Sequence, residues 1–197
     1  YDIALFWTEF LDFQITVPTG DPDDPFLNVN AGKQRVRGAE FNTTMAVTDQ
    51  LRLSLSGAVM DGQMVFFPAG GCTTEERVNF EQSGCDPDTG RIDRSGEQAP
   101  RTPDWKFVAT VDYWMPVLDD YRMSFNAKGY ISDGYITDIN GFSQTVRMDQ
   151  HEDLNLTLGF GDINDTWELA VFGRNILEAR PTYHPEFDIL PSGTQSG

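Results

Sequence analysis

The sequence predicts an all-β chain, an antiparallel up-and-down transmembrane β-barrel with about seven strands among its 197 residues. Three observations lead there. Apolar residues alternate with polar or small ones along most of the chain, which is the period of a strand with one apolar face. Short and long connections alternate strictly. The strands also run to about a dozen residues, longer than the five or six usual in soluble sheets and enough to cross a tilted path through a bilayer.

The clearest stretch lies near the end of the chain. Leu154, Leu156, Leu158 and Phe160 alternate with Asn155, Thr157, Gly159 and Gly161. After a turn at residues 162–165, Trp167, Leu169 and Val171 resume the rhythm, so residues 147–161 and 166–178 read as a hairpin. Taken from the start, Ile3, Leu5 and Trp7 open a strand that continues loosely to Val17. Residues 18–26 are a turn-rich loop of Pro, Gly and Asp. Residues 28–47 are strand-like, then Leu51, Leu53 and Leu55 alternate with Arg52, Ser54 and Ser56 towards Phe66. Residues 67–102 form a long Gly-, Pro- and acid-rich connection. Two more strands follow, led by Trp105, Phe107, Ala109 and Val111, and by Tyr121, Met123 and Phe125. Residues 133–146 and 179–197 read as loops, and helical periodicity is absent throughout.

The short connections are residues 48–50, 118–120 and 162–165, and the long ones are 18–27, 67–102, 133–146 and those after 178. In a meander, alternate turns share one end, so all long loops lie on one side. Short periplasmic turns opposite long extracellular loops are the asymmetry of outer-membrane barrels. Trp105, Tyr113, Trp114, Tyr121 and Trp167 lie near strand ends, as an interfacial aromatic girdle requires. Arg122, Asn126 and Lys128 occupy the opposite face of their strand, which is solvent in a sandwich and lumen in a barrel. Arg35 and Arg37 share a face and are read as ordinary inward charges. Seven is an odd number for a closed bacterial barrel, and the chain opens in mid-strand. Further strands are therefore expected before Tyr1 and one after Gly197.

Fourteen basic against thirty-one acidic residues give a net charge of −17. A phosphate-binding basic stripe is missing, which argues against a nucleic-acid partner. No apolar run reaches the length of a membrane helix, and this says nothing against strands as spanning elements. Cys72 and Cys85 fall in the long connection, and a disulfide formed in an oxidising compartment is favoured over two free thiols.

Several patches, in order, resemble the C-terminal part of a TonB-dependent outer-membrane receptor barrel. Asn30-Ala31-Gly32-Lys33 with Arg37-Gly38-Ala39-Glu40-Phe41 is similar to one family strand, and residues 51–58 to the next. Pro100-Arg101-Thr102-Pro103-Asp104-Trp105-Lys106 resembles the strand entry after a long loop. Asp153-Leu154-Asn155-Leu156 followed by residues 167–177 resembles the family's late hairpin. The resemblance implies energy-coupled import of a scarce nutrient across the outer membrane of a Gram-negative bacterium. The nutrient is a siderophore, cobalamin, carbohydrate or similar. The implied partners are outer-membrane lipid, the imported small molecule, and TonB through a plug domain. The plug, the TonB box and the closing strand are not in this chain.

Enzyme chemistry has little support. The sequence contains no GxSxG, HExxH, Walker or GxGxxG pattern, and neither a catalytic residue nor a cofactor site is assigned. Asp86, Asp88 and Asp93 have the spacing of a weak calcium loop without its closing glutamate, and an acidic turn is favoured. Asp21, Asp23 and Asp24 invite the same guess with less support. His151 reads as a polar strand-end residue, and His184 lies far from it. The rival readings are a soluble β-sandwich such as a carbohydrate-binding module, a sandwich hydrolase using paired carboxylates, and a passive porin. A sandwich requires Greek-key crossovers and two packed sheets.

Overall fold

The computed structural model describes residues 1–12, 14–18, 26–30, 32–137 and 147–178. In chain order the elements are β1 (Asp2–Leu11), β2 (Gln14–Pro18), β3 (Phe26–Asn30), β4 (Lys33–Ala46) and β5 (Leu51–Phe66). The long connection holds β6 (Gly70–Gly71), helices α1 (Thr74–Val78) and α2 (Phe80–Ser83), and β7 (Arg91–Ile92). Then come β8 (Trp105–Val117), β9 (Tyr121–Ser132), β10 (Tyr135–Ile136), β11 (Arg147–Met148), β12 (His151–Asp162) and β13 (Glu168–Gly173). Seven strands form one sheet in the order β1-β4-β5-β8-β9-β12-β13, each antiparallel to its neighbour. The sheet is an open meander, a piece of barrel wall. Neither the crossovers nor the second packed sheet of a sandwich occur among the described residues.

Period two and the pairing register together sort the side chains into two faces. On one face Thr43, Leu55, Ala109 and Gly129 align in a row, followed by Met45, Leu53, Val111, Ala127 and Leu156. The opposite face carries Ala46, Arg52, Asp112, Asn126 and Thr157 in one row and Thr44, Ser54, Thr110, Lys128 and Asn155 in another. The apolar face is uncovered: Leu5 is 81% exposed and Val171 72%. Such a surface on a soluble chain would associate or aggregate, whereas lipid would satisfy it.

Aromatic rings mark both margins of this face. Near the short turns Tyr121 stacks on Phe160 at 5.4 Å and Trp167 meets both rings edge-on. Near the long connections Trp105 stacks on Phe107 at 5.6 Å, with Phe41 beside it. The ten residue steps from Trp105 to Met115 span about 33 Å along the strand. At the usual barrel tilt that is about 25 Å of height, the thickness of an apolar barrel band. Trp114 does not belong to the girdle. Its parity puts it on the polar face, where its indole N–H donates to the Asp49 carbonyl at 3.2 Å.

Each short turn is tied to its surroundings. Thr48 Oγ1 accepts from the Gln50 and Leu51 N–H groups, and Trp114 N–H donates to Gln50 O. Asp162 Oδ2 accepts from Asn164 N–H, and Ile163 N–H donates to Asp120 O, joining neighbouring turns. Arg122 adds an ion pair to Asp165.

Three expectations change in detail. The strand expected over residues 28–47 begins at Lys33, because Gly32 has φ +84° and Asp12 φ +52°, and Asp12 N–H donates to Gly32 O. That paired reversal ends the main ladder, and β2 and β3 continue as a separate hairpin. A Cβ at Gly32 would lie 2.4 Å from Phe66 O, so only glycine suits the position. The last strand ends at Gly173 rather than Glu178, because Asn175 is left-handed at φ +48° and its N–H turns to Asn155 Oδ1. Finally, Arg35 and Arg37, expected to point inward, share the parity of Phe41 and Ala39 and lie on the apolar side, opposite Gln63 and Asp61.

Candidate functional site

The long connection between β5 and β8 is where the buried side chains gather. Met64, Phe67, Cys72, Cys85 and Ala99 form its apolar centre, each at most 5% exposed. It is continuous with the wall. Met60 N–H donates to Asp104 O, Ala99 N–H to Gly62 O, Met64 N–H to Glu97 O and Arg94 N–H to Phe67 O. The returning chain therefore stays paired with the upper part of β5 before β8 begins.

Arg94 is the hub. Its guanidinium donates to both Glu76 oxygens, at 2.9 and 2.6 Å, to Gly71 O at 2.9 Å and to Glu97 Oε1 at 3.1 Å. Glu76 also closes a capping box on α1: its carboxylate accepts from Thr73 N–H, and Thr73 Oγ1 accepts from Glu76 N–H. Burial works against charge on Glu76, but the hydrogen bonds from Arg94 and Thr73 outweigh it and hold the carboxyl below its ordinary range. Burial likewise opposes the Arg94 charge, and Glu76 and Glu97 more than restore it. Gly70 permits the arrangement, since a Cβ there would fall 2.4 Å from Arg94 Cγ. The sequence carried a signal for part of this, Thr73-Thr74-Glu75-Glu76, which is a capping-box pattern. The reading without helices missed it, because α1 and α2 are too short to show periodicity.

The expected Cys72–Cys85 disulfide is present, bridging a separation of 13 positions and tying the α1–α2 segment across β6 and β7. Asp86, Asp88 and Asp93 do not converge. Asp86 Oδ1 accepts from Asp88 N–H at 2.8 Å and Thr89 N–H at 3.1 Å, and Asp93 Oδ1 accepts from Ser95 N–H at 2.8 Å. Hydrogen bonds from Thr89 and Asp88 lower the Asp86 pKa, and those from Ser95 lower that of Asp93. These acids cap turns, and no group of three metal-ligating side chains forms among the described residues. Asp21, Asp23, Asp24 and His184 lie outside the described residues. His151 opens β12 with its ring 5.1 Å from that of Tyr130, as a polar strand-end residue would.

The polar face of the wall adds a shallow depression of about 340 Å³ between Asp2, Glu40, Asn42, Ser56 and Lys106. It offers donors, acceptors and both signs of charge. A wall with one lipid-compatible face and one polar face, and with all its long connections at one end, is a barrel segment. Residues 1–176 match the family described as TonB dependent receptor-like, beta-barrel. The chain belongs to that family. Among curated proteins none matches it. As in other transmembrane β-barrels, the polar face of this receptor wall is the interior and the apolar face meets the membrane. The family is one of transport receptors found in Gram-negative outer membranes.

Proposed function

We propose that residues 1–197 are part of the barrel domain of an outer-membrane transport receptor that imports a scarce nutrient with TonB-coupled energy. The nutrient class is a siderophore, cobalamin, carbohydrate or similar small molecule. TonB acts through a plug domain. In this reading the connection at residues 67–102 is an extracellular loop held in shape by Cys72–Cys85 and Arg94, and the short turns face the periplasm. The observation that carries it is the strict meander with three short turns at one end and the long connections at the other. The disulfide supports it further, because such bonds persist outside the cytoplasm.

The orientation is testable in whole cells. Neither native cysteine is free, so Glu81→Cys in α2 and Asp119→Cys in a short turn each introduce a single thiol. A membrane-impermeant maleimide should label Glu81→Cys on intact cells and reach Asp119→Cys only after the outer membrane is permeabilised. The reverse pattern would overturn the orientation. Uptake of ferric siderophores, cobalamin and maltodextrins by cells with and without TonB then tests coupling; accumulation that does not depend on TonB would favour a passive pore.

A further inference from the structure

We propose that the lipid-side face of this wall carries a binding site for the phosphate groups of anionic lipid headgroups. It is built from Lys33, Arg35 and Arg37 around Trp7. The inference rests on reading the apolar face as membrane-facing, and it concerns a different surface from the transport path.

The row pattern along β1 and β4 locates it. Ile3 pairs with Phe41 and Leu5 with Ala39; the next rows on the same face are Trp7 with Arg37, Glu9 with Arg35 and Leu11 with Lys33. The face changes from apolar to charged at Trp7, where a hydrocarbon band gives way to headgroups. Both guanidiniums stack on the Trp7 ring, each 5.3 Å from its centroid. Their charges are only partly matched. Lys33 pairs with Glu9 at 2.8 Å and Arg37 with Asp61 at 2.7 Å, while Arg35 donates to the neutral amide of Gln63 at 2.8 Å. Three cations thus face two carboxylates. The Arg37 and Asp61 side chains remain 44% and 51% exposed, so the pair is open to a third, anionic group.

This local excess stands out in a chain with a net charge of −17. A wall that acidic would be repelled by an anionic membrane surface unless cations lay at the contact. Arginine suits the task, since its planar fork binds phosphate oxygens in pairs while its face stays on the indole. Among the described residues, the polar surface offered to the barrel interior has no comparable run of cations along one strand. There Arg52, Lys106, Arg122 and Lys128 are spread over β5, β8 and β9, whereas Lys33, Arg35 and Arg37 take three successive same-face positions of β4.

The test uses the full-length protein in a non-ionic detergent, titrated with short-chain phosphatidic acid, with phosphatidylcholine of the same chains, and with inorganic phosphate. Binding is read by native mass spectrometry. Phosphatidic acid should bind at least about tenfold more tightly than phosphatidylcholine, with the preference falling as salt rises. Lys33→Gln/Arg35→Gln/Arg37→Gln should abolish the preference, at about fivefold per cation removed. Asp61→Asn frees Arg37 and should tighten phosphatidic acid binding about fivefold, which a purely structural ion pair would not do. Should the triple variant fail to fold, Asp61→Asn still decides the matter. Equal affinity for the two lipids, or no gain in Asp61→Asn, would overturn the proposal. Displacement of the lipid by inorganic phosphate at equal concentration would overturn it in favour of a free-anion site. A protein that stays soluble without detergent and takes up neither lipid would instead refute the membrane-wall reading beneath it.

Discussion

Replacing Glu76 with glutamine removes one charge from the centre of the long connection while keeping the side chain's shape. Glutamine still serves the capping box with Thr73, so α1 keeps its N-terminal bonds and the change isolates the ion pair. The Arg94 and Glu76 side chains are only 8% and 9% exposed, so water cannot replace the lost partner. Breaking a buried pair by removing one member costs about 3–5 kcal/mol, because the remaining charge is left uncompensated. Arg94 keeps Gly71 O and Glu97, which puts the expected loss near the lower end, about 3 kcal/mol. That is roughly a hundredfold increase in the population of the opened connection. Barrel strands should not feel it, since β8 and β9 are held by their own ladder. Hydrogen exchange read by mass spectrometry is the suitable assay, because it reports local opening segment by segment. Peptides covering residues 70–99 should exchange about a hundredfold faster, with those from β8 and β9 unchanged. Exchange within about twofold of the parent, or acceleration spread evenly into the wall, would refute the assignment of Arg94 as the hub.

Other outcomes follow from the same geometry. The Glu76 pKa is lower in the folded chain than in an open one, so its contribution is complete above the unfolded value and disappears as pH falls through the folded value. Protection of residues 70–99 should therefore drop on acidification below the ordinary carboxylate range, and Glu76→Gln should flatten that dependence. Removing the disulfide in Cys72→Ser/Cys85→Ser should cost the connection about 3 kcal/mol. Faster protease cleavage within residues 72–85 under oxidising conditions checks this, and an unchanged rate would show that Arg94 suffices. On the wall, Val111→Arg should destabilise the folded barrel by about 2–4 kcal/mol, while Thr110→Arg on the other face should cost far less. Folding into vesicles against urea measures both, and equal costs would reverse or abolish the assignment of faces.

The identity of the elements was legible because it is a local property. Leu51, Leu53 and Leu55, or Leu154, Leu156 and Leu158, declare a face by spacing alone, since a pleated backbone turns successive side chains to opposite sides. The same parity argument already contained the correct side for Arg35 and Arg37. Residue type misled there, because a charge was expected to avoid the apolar side, whereas the strand outruns the band and the upper rows of that face are polar. Trp114 erred the opposite way: an aromatic near a strand end looked like a girdle residue, and its parity with Asp112 and Pro116 was the better guide.

By itself, then, the sequence determined the strand period, the alternation of connection lengths, the seven-stranded meander and the two cysteines' shared segment. All of these depend on neighbours in the chain. Only the tertiary structure decided that Arg94 meets Glu76 eighteen positions away, that residues 94–104 stay paired with β5, and that the acids at 86 and 93 cap turns. The reason is physical. A strand's faces follow from backbone geometry at each residue, but the partner of a buried charge depends on the path by which an irregular segment folds back on itself.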